Sequence, residues 1–211
     1  MSSIINKKEN NIWIHELISN IVNWHYDRNL IHGSSDKNQI LKLVQEGGEL
    51  AGNLADQGCI KDDIGDMFVV LINLAERNKV SATDCFTQKL VPLGARLDCP
   101  EQDEELSSCI EHFLNFRKES TEDLRFSIEM SSKAYLEIYC LVGHLSDVAC
   151  KGKENLQIPI GKIMRGLVLL AECNNLTLED CLERAWKDIR DRKGIMVDGV
   201  FVKEADLTKT N

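Results

Sequence analysis

Proline is scarce in this chain: three residues among 211, Pro92, Pro100 and Pro159. With so few helix breakers, and apolar residues recurring at helical spacing almost throughout, the expected fold class is all-α. No apolar run approaches the roughly 18 residues of a membrane span. The first residues, Met1 to Asn11, lack the apolar core of a signal peptide. Positive charge is also short. Lys and Arg number 25 against 34 Asp and Glu, a net charge of −9. This disfavours nucleic acid or an anionic membrane as partner, and a cytoplasmic location is expected. None of the eight cysteines falls in a CxxC pair, and the five histidines form no HExxH, which weakens a zinc reading. The cysteines are expected to be reduced and mostly buried, with Cys140, Cys173 and Cys181 at apolar helix positions.

What the chain does have is a set of four carboxylates in two pairs. They are Glu46 and Glu49, separated by Gly47-Gly48, and Asp63 and Asp66, separated by Ile64-Gly65. The i, i+3 spacing puts both acids of a pair on one helix face. The pairs are flanked by apolar residues: Leu43, Val44, Leu50 and Leu54 for the first, Ile64, Phe68, Leu71 and Ile72 for the second. A single ExxE is usually a solvated helix face. Two such pairs on adjacent helices, each beside a buried stripe, repel one another unless neutralised. Oxygen-only ligands suit a hard cation, Mg²⁺ or Mn²⁺, and such ions usually arrive with substrate phosphates.

Periodicity predicts helices over 12–27, 37–57 and 62–78, then a short one capped by Ser81. Ser35 or Asp36 is the expected cap of the second, with Gly58 ending it. Residues 91–107 read as a linker with two prolines and an acidic run. Beyond it the first half recurs. Ile64-Gly65-Asp66 aligns with Ile160-Gly161-Lys162, Leu74-Ala75-Glu76 with Leu170-Ala171-Glu172, Asn78 with Asn174, and Asp84-Cys85 with Asp180-Cys181. The acids do not recur. Leu141 and His144 stand for Glu46 and Glu49, and Pro159 and Lys162 for Asp63 and Asp66. The second hairpin is therefore expected to complete a four-helix core without holding metal. The expected organisation is a first repeat over 1–90, the linker, a second repeat over 108–206 and a tail over 207–211. Asp198-Gly199 predicts a tight turn joining two short strands.

The run Lys42-Leu43-Val44-Gln45-Glu46-Gly47-Gly48-Glu49-Leu50, with Asp63-Ile64-Gly65-Asp66 and Leu71-Ile72-Asn73-Leu74-Ala75, resembles the MazG-like nucleotide pyrophosphohydrolases. These belong to the all-α NTP pyrophosphatase superfamily. Trp24 to Leu30 and Asp188 to Gly194 look like a phage-type branch of it. Two positions depart from the family pattern: Gln45 stands for its first Glu, and Asp63 for a Glu one methylene longer.

The resemblance implies a helical bundle of two tandem hairpins with a short C-terminal β-hairpin. It implies Mg²⁺-dependent hydrolysis of a nucleoside triphosphate, most naturally a dNTP, to the monophosphate and pyrophosphate. Glu46, Glu49, Asp63 and Asp66 would be the catalytic metal ligands. Asn73, Trp24, Arg28, Lys42, Arg192, Lys193 and Lys203 would be the substrate-binding candidates. Four of these have a plainer role as well: a core amide for Asn73, a core ring for Trp24, helix-dipole complementation for Arg192 and Lys193. The competing readings are a nucleotide-binding regulatory module with little or no turnover and a dUTPase-like enzyme. The base, the number of metal ions and pairing into a homodimer stay open.

Overall fold

Three hydroxyl side chains set helix starts. Ser35, in extended conformation, accepts a hydrogen bond from the Asn38 amide, 3.1 Å. Ser81 accepts from Asp84, 2.9 Å, and Thr177 from Asp180, 3.1 Å. Each satisfies an amide that the first helical turn leaves without an intrahelical acceptor. The computed structural model describes residues 14–88, 106–120, 128–152 and 155–207. Within them lie α1 (Ile14–Asp27), α2 (Asp36–Ala55), α3 (Lys61–Arg77), α4 (Ala82–Thr87), α5 (Leu106–Ser120), α6 (Ile128–Lys151), α7 (Gln157–Cys173), α8 (Leu178–Ile189), β1 (Gly194–Val197), β2 (Val200–Lys203) and α9 (Glu204–Leu207). The chain is mostly helical, with one two-stranded antiparallel ribbon. No described helix is long and apolar enough to cross a membrane.

The central element is α3. Twelve of its residues are buried, including Ile64, Phe68, Leu71 and Leu74. It packs on α2, α8, α7 and α1, while α6 packs on α7 and α2. Fully burying side chains of this size stabilises by about 1.5–3 kcal/mol each before entropy is charged against it.

The sequence correspondence has a geometric counterpart. Helices α3 and α7 each run 17 residues and start 96 positions apart. Both end on an Asn whose amide donates back to a leucine carbonyl, Asn78 to Leu74 and Asn174 to Leu170. Each Asn is followed by a residue with positive φ, Lys79 or Asn175. The short helices are exchanged: α8 packs on α3, and α4 on α7. Lys61 pairs with Asp180 at 3.1 Å, and at the matching position Gln157 donates to the Asp84 carbonyl at 3.2 Å.

Three local expectations change. The left-handed residue after α2 is Gln57, with φ 56°, and not Gly58, whose amide instead donates to the Asn53 carbonyl at 2.7 Å. Cys140 is exposed on α6, as are Cys59 and Cys150, while Cys85, Cys109, Cys173 and Cys181 are buried. These seven thiols are all free. An apolar position in sequence marks only one stripe of a helix, and Cys140 lies off it. Helix α5 opens at Leu106, inside the stretch expected as a linker. The rest of that stretch, residues 1–13 and residues 208–211 lie outside the described residues.

Candidate active site

The face of α2 that carries Asn38, Gln39, Lys42 and Glu46 follows i, i+3/i+4, i+7 spacing. It turns toward Asp66 on α3, and between them opens a cavity of about 150 Å³. Trp24 and His25 of α1 wall it on one side, with Val69 and Val70 of α3 and Ile189 of α8. Leu30, Arg192 and the ribbon residues Gly199, Val200, Phe201 and Lys203 complete the lining. The ribbon is the hairpin expected from Asp198-Gly199. Val197 pairs with Val200, and both turn residues take positive φ, 50° and 80°. Two contacts fasten its tip to the body: Ser34 Oγ and Asn38 Nδ2 donate to the Gly199 carbonyl at 2.8 and 3.1 Å.

The four acids pair across the helices. Glu46 and Asp66 both line the cavity, whereas Glu49 and Asp63 lie outside its lining. Burial first, and then the charge of Glu46, push the Asp66 carboxyl up to about 7; Arg192 and Lys42 pull the other way. Burial also raises Asp63, with Glu49 contributing and a 2.8 Å hydrogen bond from Asn53 opposing. Three of the four acids are engaged by neutral or cationic neighbours. Lys42 pairs with Glu46, Gln45 donates to Glu49 at 3.1 Å, and Asn53 holds Asp63. Asp66 has no such side-chain partner among the described residues. Nor, among those residues, do any three His, Cys, Asp or Glu side chains converge closely enough to hold a metal ion. The donor chemistry still suits a hard cation: two half-repelling carboxylate pairs, all oxygen, one acid with no side-chain hydrogen bond or ion pair of its own. The Lys42, Gln45 and Asn53 contacts are single hydrogen bonds or ion pairs of the kind a cation displaces.

A further acid adjoins this set. Asp62, next to Asp63, is raised by burial and by Asp188 of α8. Arg184 lies between these two, 3.4 Å from Asp62 and 3.0 Å from Asp188. Neither aspartate was marked by the i, i+3 pattern, because their proximity depends on α8 docking against α3.

The other candidates divide. Trp24, Lys42, Arg192 and Lys203 line the cavity. Arg28 stands outside it. Its guanidinium lies over the Trp24 ring, 4.8 Å from the centroid, and donates to the backbone carbonyls of Arg192 and Arg190 at 2.9 and 3.2 Å. Lys193 is exposed, and its carbonyl accepts from the Glu204 amide at 3.0 Å. Asn73 is fully buried in α3 and does not line the cavity, and neither polar atom of its amide finds a hydrogen-bond partner among the described residues. Arg28 thus positions the cationic Arg192 segment by gripping its backbone. Arg28→Ala should leave the helical far-UV signal unchanged and increase protease cleavage around residues 190–203 several-fold.

His25, Asn38, Gln39 and Phe201 went unmarked or barely marked in the sequence. The α2 residues could have been found by extending the Lys42–Glu46 spacing one turn toward the N-terminus. Phe201 could not, since its approach to Trp24, 5.9 Å between ring centroids, joins the two ends of the chain.

No family model matches the chain, and no solved structure matches it significantly. Over 71 residues, 33% of its length, it is 42% identical to an "Uncharacterized 18.2 kDa protein in rep-hol intergenic region" of Haemophilus phage HP1 (strain HP1c1). That stretch spans 44% of the phage protein, so the chain matches less than half of this relative.

Proposed function

We propose that the chain is a metal-dependent nucleoside triphosphate pyrophosphohydrolase, built as two tandem MazG-like hairpins of which the second has lost its acids. The observation that carries this reading is the meeting of Glu46 and Asp66 at one cavity with three cations, Lys42, Arg192 and Lys203, and with the rings of Trp24 and Phe201. Charged groups of both signs in the lining suit a polyphosphate and its counter-ion. A ring-lined interior suits a base.

Glu46, Glu49 and Asp66, with Asp63, would hold Mg²⁺ or Mn²⁺, which when bound would supply charge neutralisation at the phosphate oxygens and an activated water. Lys42, released from Glu46, is free to meet a phosphate oxygen. Arg192, held by Arg28 through its backbone, offers a fixed fork to another. One of these carboxylates, if not fully taken up in holding the cation, would be placed to accept the proton of an attacking water. The second hairpin carries Pro159 and Lys162 where the first carries Asp63 and Asp66, and supplies packing for α3.

Pyrophosphate release from the eight common NTPs and dNTPs plus dUTP, with and without Mg²⁺ or Mn²⁺, tests this. Release that needs metal and is lost in Glu49→Gln is expected. No release from any nucleotide with either metal would sink the hydrolase. The engagement of Glu46, Glu49 and Asp63 by Lys42, Gln45 and Asn53 favours one other reading, a module that binds nucleotide without turning it over. It predicts nucleotide binding that neither EDTA nor Glu49→Gln weakens.

A further inference from the structure

Helices α2 and α6, which pack the two halves together, also share an outer face. Among the described residues, four large apolar side chains stand exposed on them: Leu41 at 68%, Val44 at 37%, Leu136 at 62% and Tyr139 at 51%. Leu41, Val44 and Gly48 follow i, i+3, i+7 spacing and so share one side of α2. Leu136, Tyr139 and Gly143 repeat that spacing on α6. The register that sets Leu141 and His144 on Glu46 and Glu49 sets these three on Leu41, Val44 and Gly48. The second half has thus lost the acids of the first but kept its exposed apolar stripe. Packing within the chain cannot be the reason, because these side chains are not buried. The two stripes adjoin: Tyr135 stacks on Tyr139 with ring centroids 6.1 Å apart, and its hydroxyl donates to the Gly47 carbonyl at 2.8 Å. At Gly48 and at Gly143 a Cβ would meet nothing within 4 Å, so each leucine has an open notch two turns further along its own helix.

We infer that this face binds a second copy of the chain, with α2 of one copy lying antiparallel on α6 of the other. In that register each leucine meets a notch: Leu41 of one copy faces Gly143 of the other, and Leu136 faces Gly48. Between them Val44 faces Cys140 and Gln45 faces Tyr139. At one end Lys37 faces Asp147, a pair of opposite charges. Twofold symmetry makes the contact twice, α2 on α6 and α6 on α2. The repeated stripe would give α2 on α2, or α6 on α6, the same fit of leucine to glycine. Those registers set Lys37 against Gly52 and Ser132 against Asp147, so only the mixed pairing is also complementary in charge. A surface that carries one motif twice is matched by another such surface, which a second copy supplies and an unrelated partner does not. Gln45 fits the same contact. Where the resemblance expects an acid, a neutral amide enters the interface without an unpaired carboxylate to desolvate. The inference rests on neither hydrolysis nor nucleotide binding.

Sedimentation velocity of the full chain over a concentration series tests this. Wild type is expected to pass from monomer to dimer with a dissociation constant in the micromolar range or below. Leu136→Glu should raise that constant at least about 30-fold. The side chain is exposed, so the far-UV helical signal of the variant should match that of wild type. Lys37→Glu should weaken the dimer several-fold, and adding Asp147→Lys should restore most of the loss, which neither like-on-like pairing predicts. Gly143→Ala narrows one notch, so it should loosen the dimer without destabilising the single chain. A wild type that stays monomeric at about 100 µM overturns the inference and leaves the face to a partner of another kind. A dimer that Leu136→Glu leaves intact overturns it too, because the interface then lies elsewhere. A charge exchange that restores nothing overturns the pairing of α2 with α6.

Discussion

Asp66→Asn should lower metal-dependent pyrophosphate release by at least about 100-fold while raising the melting temperature of the metal-free chain at pH 8. The two effects have one cause. Burial and the neighbouring Glu46 lift the Asp66 carboxyl from 3.8 to about 7. In the unfolded chain the group titrates near its ordinary value. Between about pH 4 and 7 the native state thus holds a proton that the unfolded state has released. The stability this group contributes is fully present below about pH 4 and is lost as pH rises through about 7. At pH 8 the native chain carries a half-buried carboxylate facing another acid. Discounted for its partial exposure, the cost is on the order of 2 kcal/mol. For a chain of this size that corresponds to roughly 4–8 °C in melting temperature. The gap between wild type and Asp66→Asn should therefore be widest at pH 8 and close toward pH 5. Mg²⁺ should raise the melting temperature of wild type only. Thermal melts at both pH values, with and without Mg²⁺, check the stability half, and pyrophosphate release checks the rest. A variant that melts higher at pH 8 yet retains full activity would show that Asp66 is a strained bystander.

Why should a chain keep such a cost? Nothing in the packing of α3 asks for an acid at position 66. Its counterpart in the second half is Lys162, and α7 packs as well with it. The cost makes sense where a cation offsets it. Glu46 is different: with Lys42 one turn away its charge is already met. Of the four acids, Asp66 is thus the one most sensitive to cation binding, and Glu49, exposed and held only by Gln45, the least costly to hold in readiness.

Much of this was legible in the sequence because it is local. The helix starts at Ser35 and Ser81, the Asp198-Gly199 turn and the placement of Glu46 with Lys42 on one face all follow from spacing and side-chain chemistry within one or two turns. The register between α3 and α7 was legible for another reason: a repeat carries its own long-range alignment. What could not be read is contact between distant segments. The Gln57 position is a local exception: glycine chemistry favoured Gly58 for the left-handed residue, but Gly58 reaches back to the Asn53 carbonyl and Gln57 takes it. That Glu46 faces Asp66 across the gap, with Glu49 nearer Asp63, depends on the packing angle of α2 on α3. The closing of the cavity by Phe201, and the grip of Arg28 on the Arg190 and Arg192 carbonyls, join residues more than 160 positions apart. Asn73 shows the converse. It lies on the α3 face of Asp66 and Val70, two turns below the acid, yet it is too deep to line the cavity.

The exchange of short helices between the two halves yields the largest stability effect. Gly161 on α7 lies against α4, where a Cβ would sit 1.7 Å from the Cys85 carbonyl oxygen. Gly65 on α3 lies against α8, where a Cβ would sit 2.3 Å from the Cys181 carbonyl oxygen and 2.9 Å from Ala185 Cβ. In both cases the obstacle is backbone, which cannot move aside by a change of rotamer, so the helices must separate. Gly161→Ala should destabilise by about 3 kcal/mol or more, at or above the upper end of what overpacking costs, and Gly65→Ala by slightly less. Neither glycine has a positive φ, so the penalty comes from approach distance and not from backbone conformation. Gly143 on α6 is the matched control. No atom lies within 4 Å of its would-be Cβ, and Gly143→Ala should stabilise by about 0.4–1 kcal/mol through helix propensity and unfolded-state entropy. Denaturant unfolding of the three variants gives the comparison. Because the close approaches are reciprocal, the double variant Gly65→Ala/Gly161→Ala should fail to fold cooperatively, since neither half could then dock its short helix on the other. A Gly161→Ala chain that unfolds at the wild-type midpoint would mean that α4 does not pack on α7 as described. The reciprocal docking that holds α3, and with it Asp66, in place would then have to be abandoned.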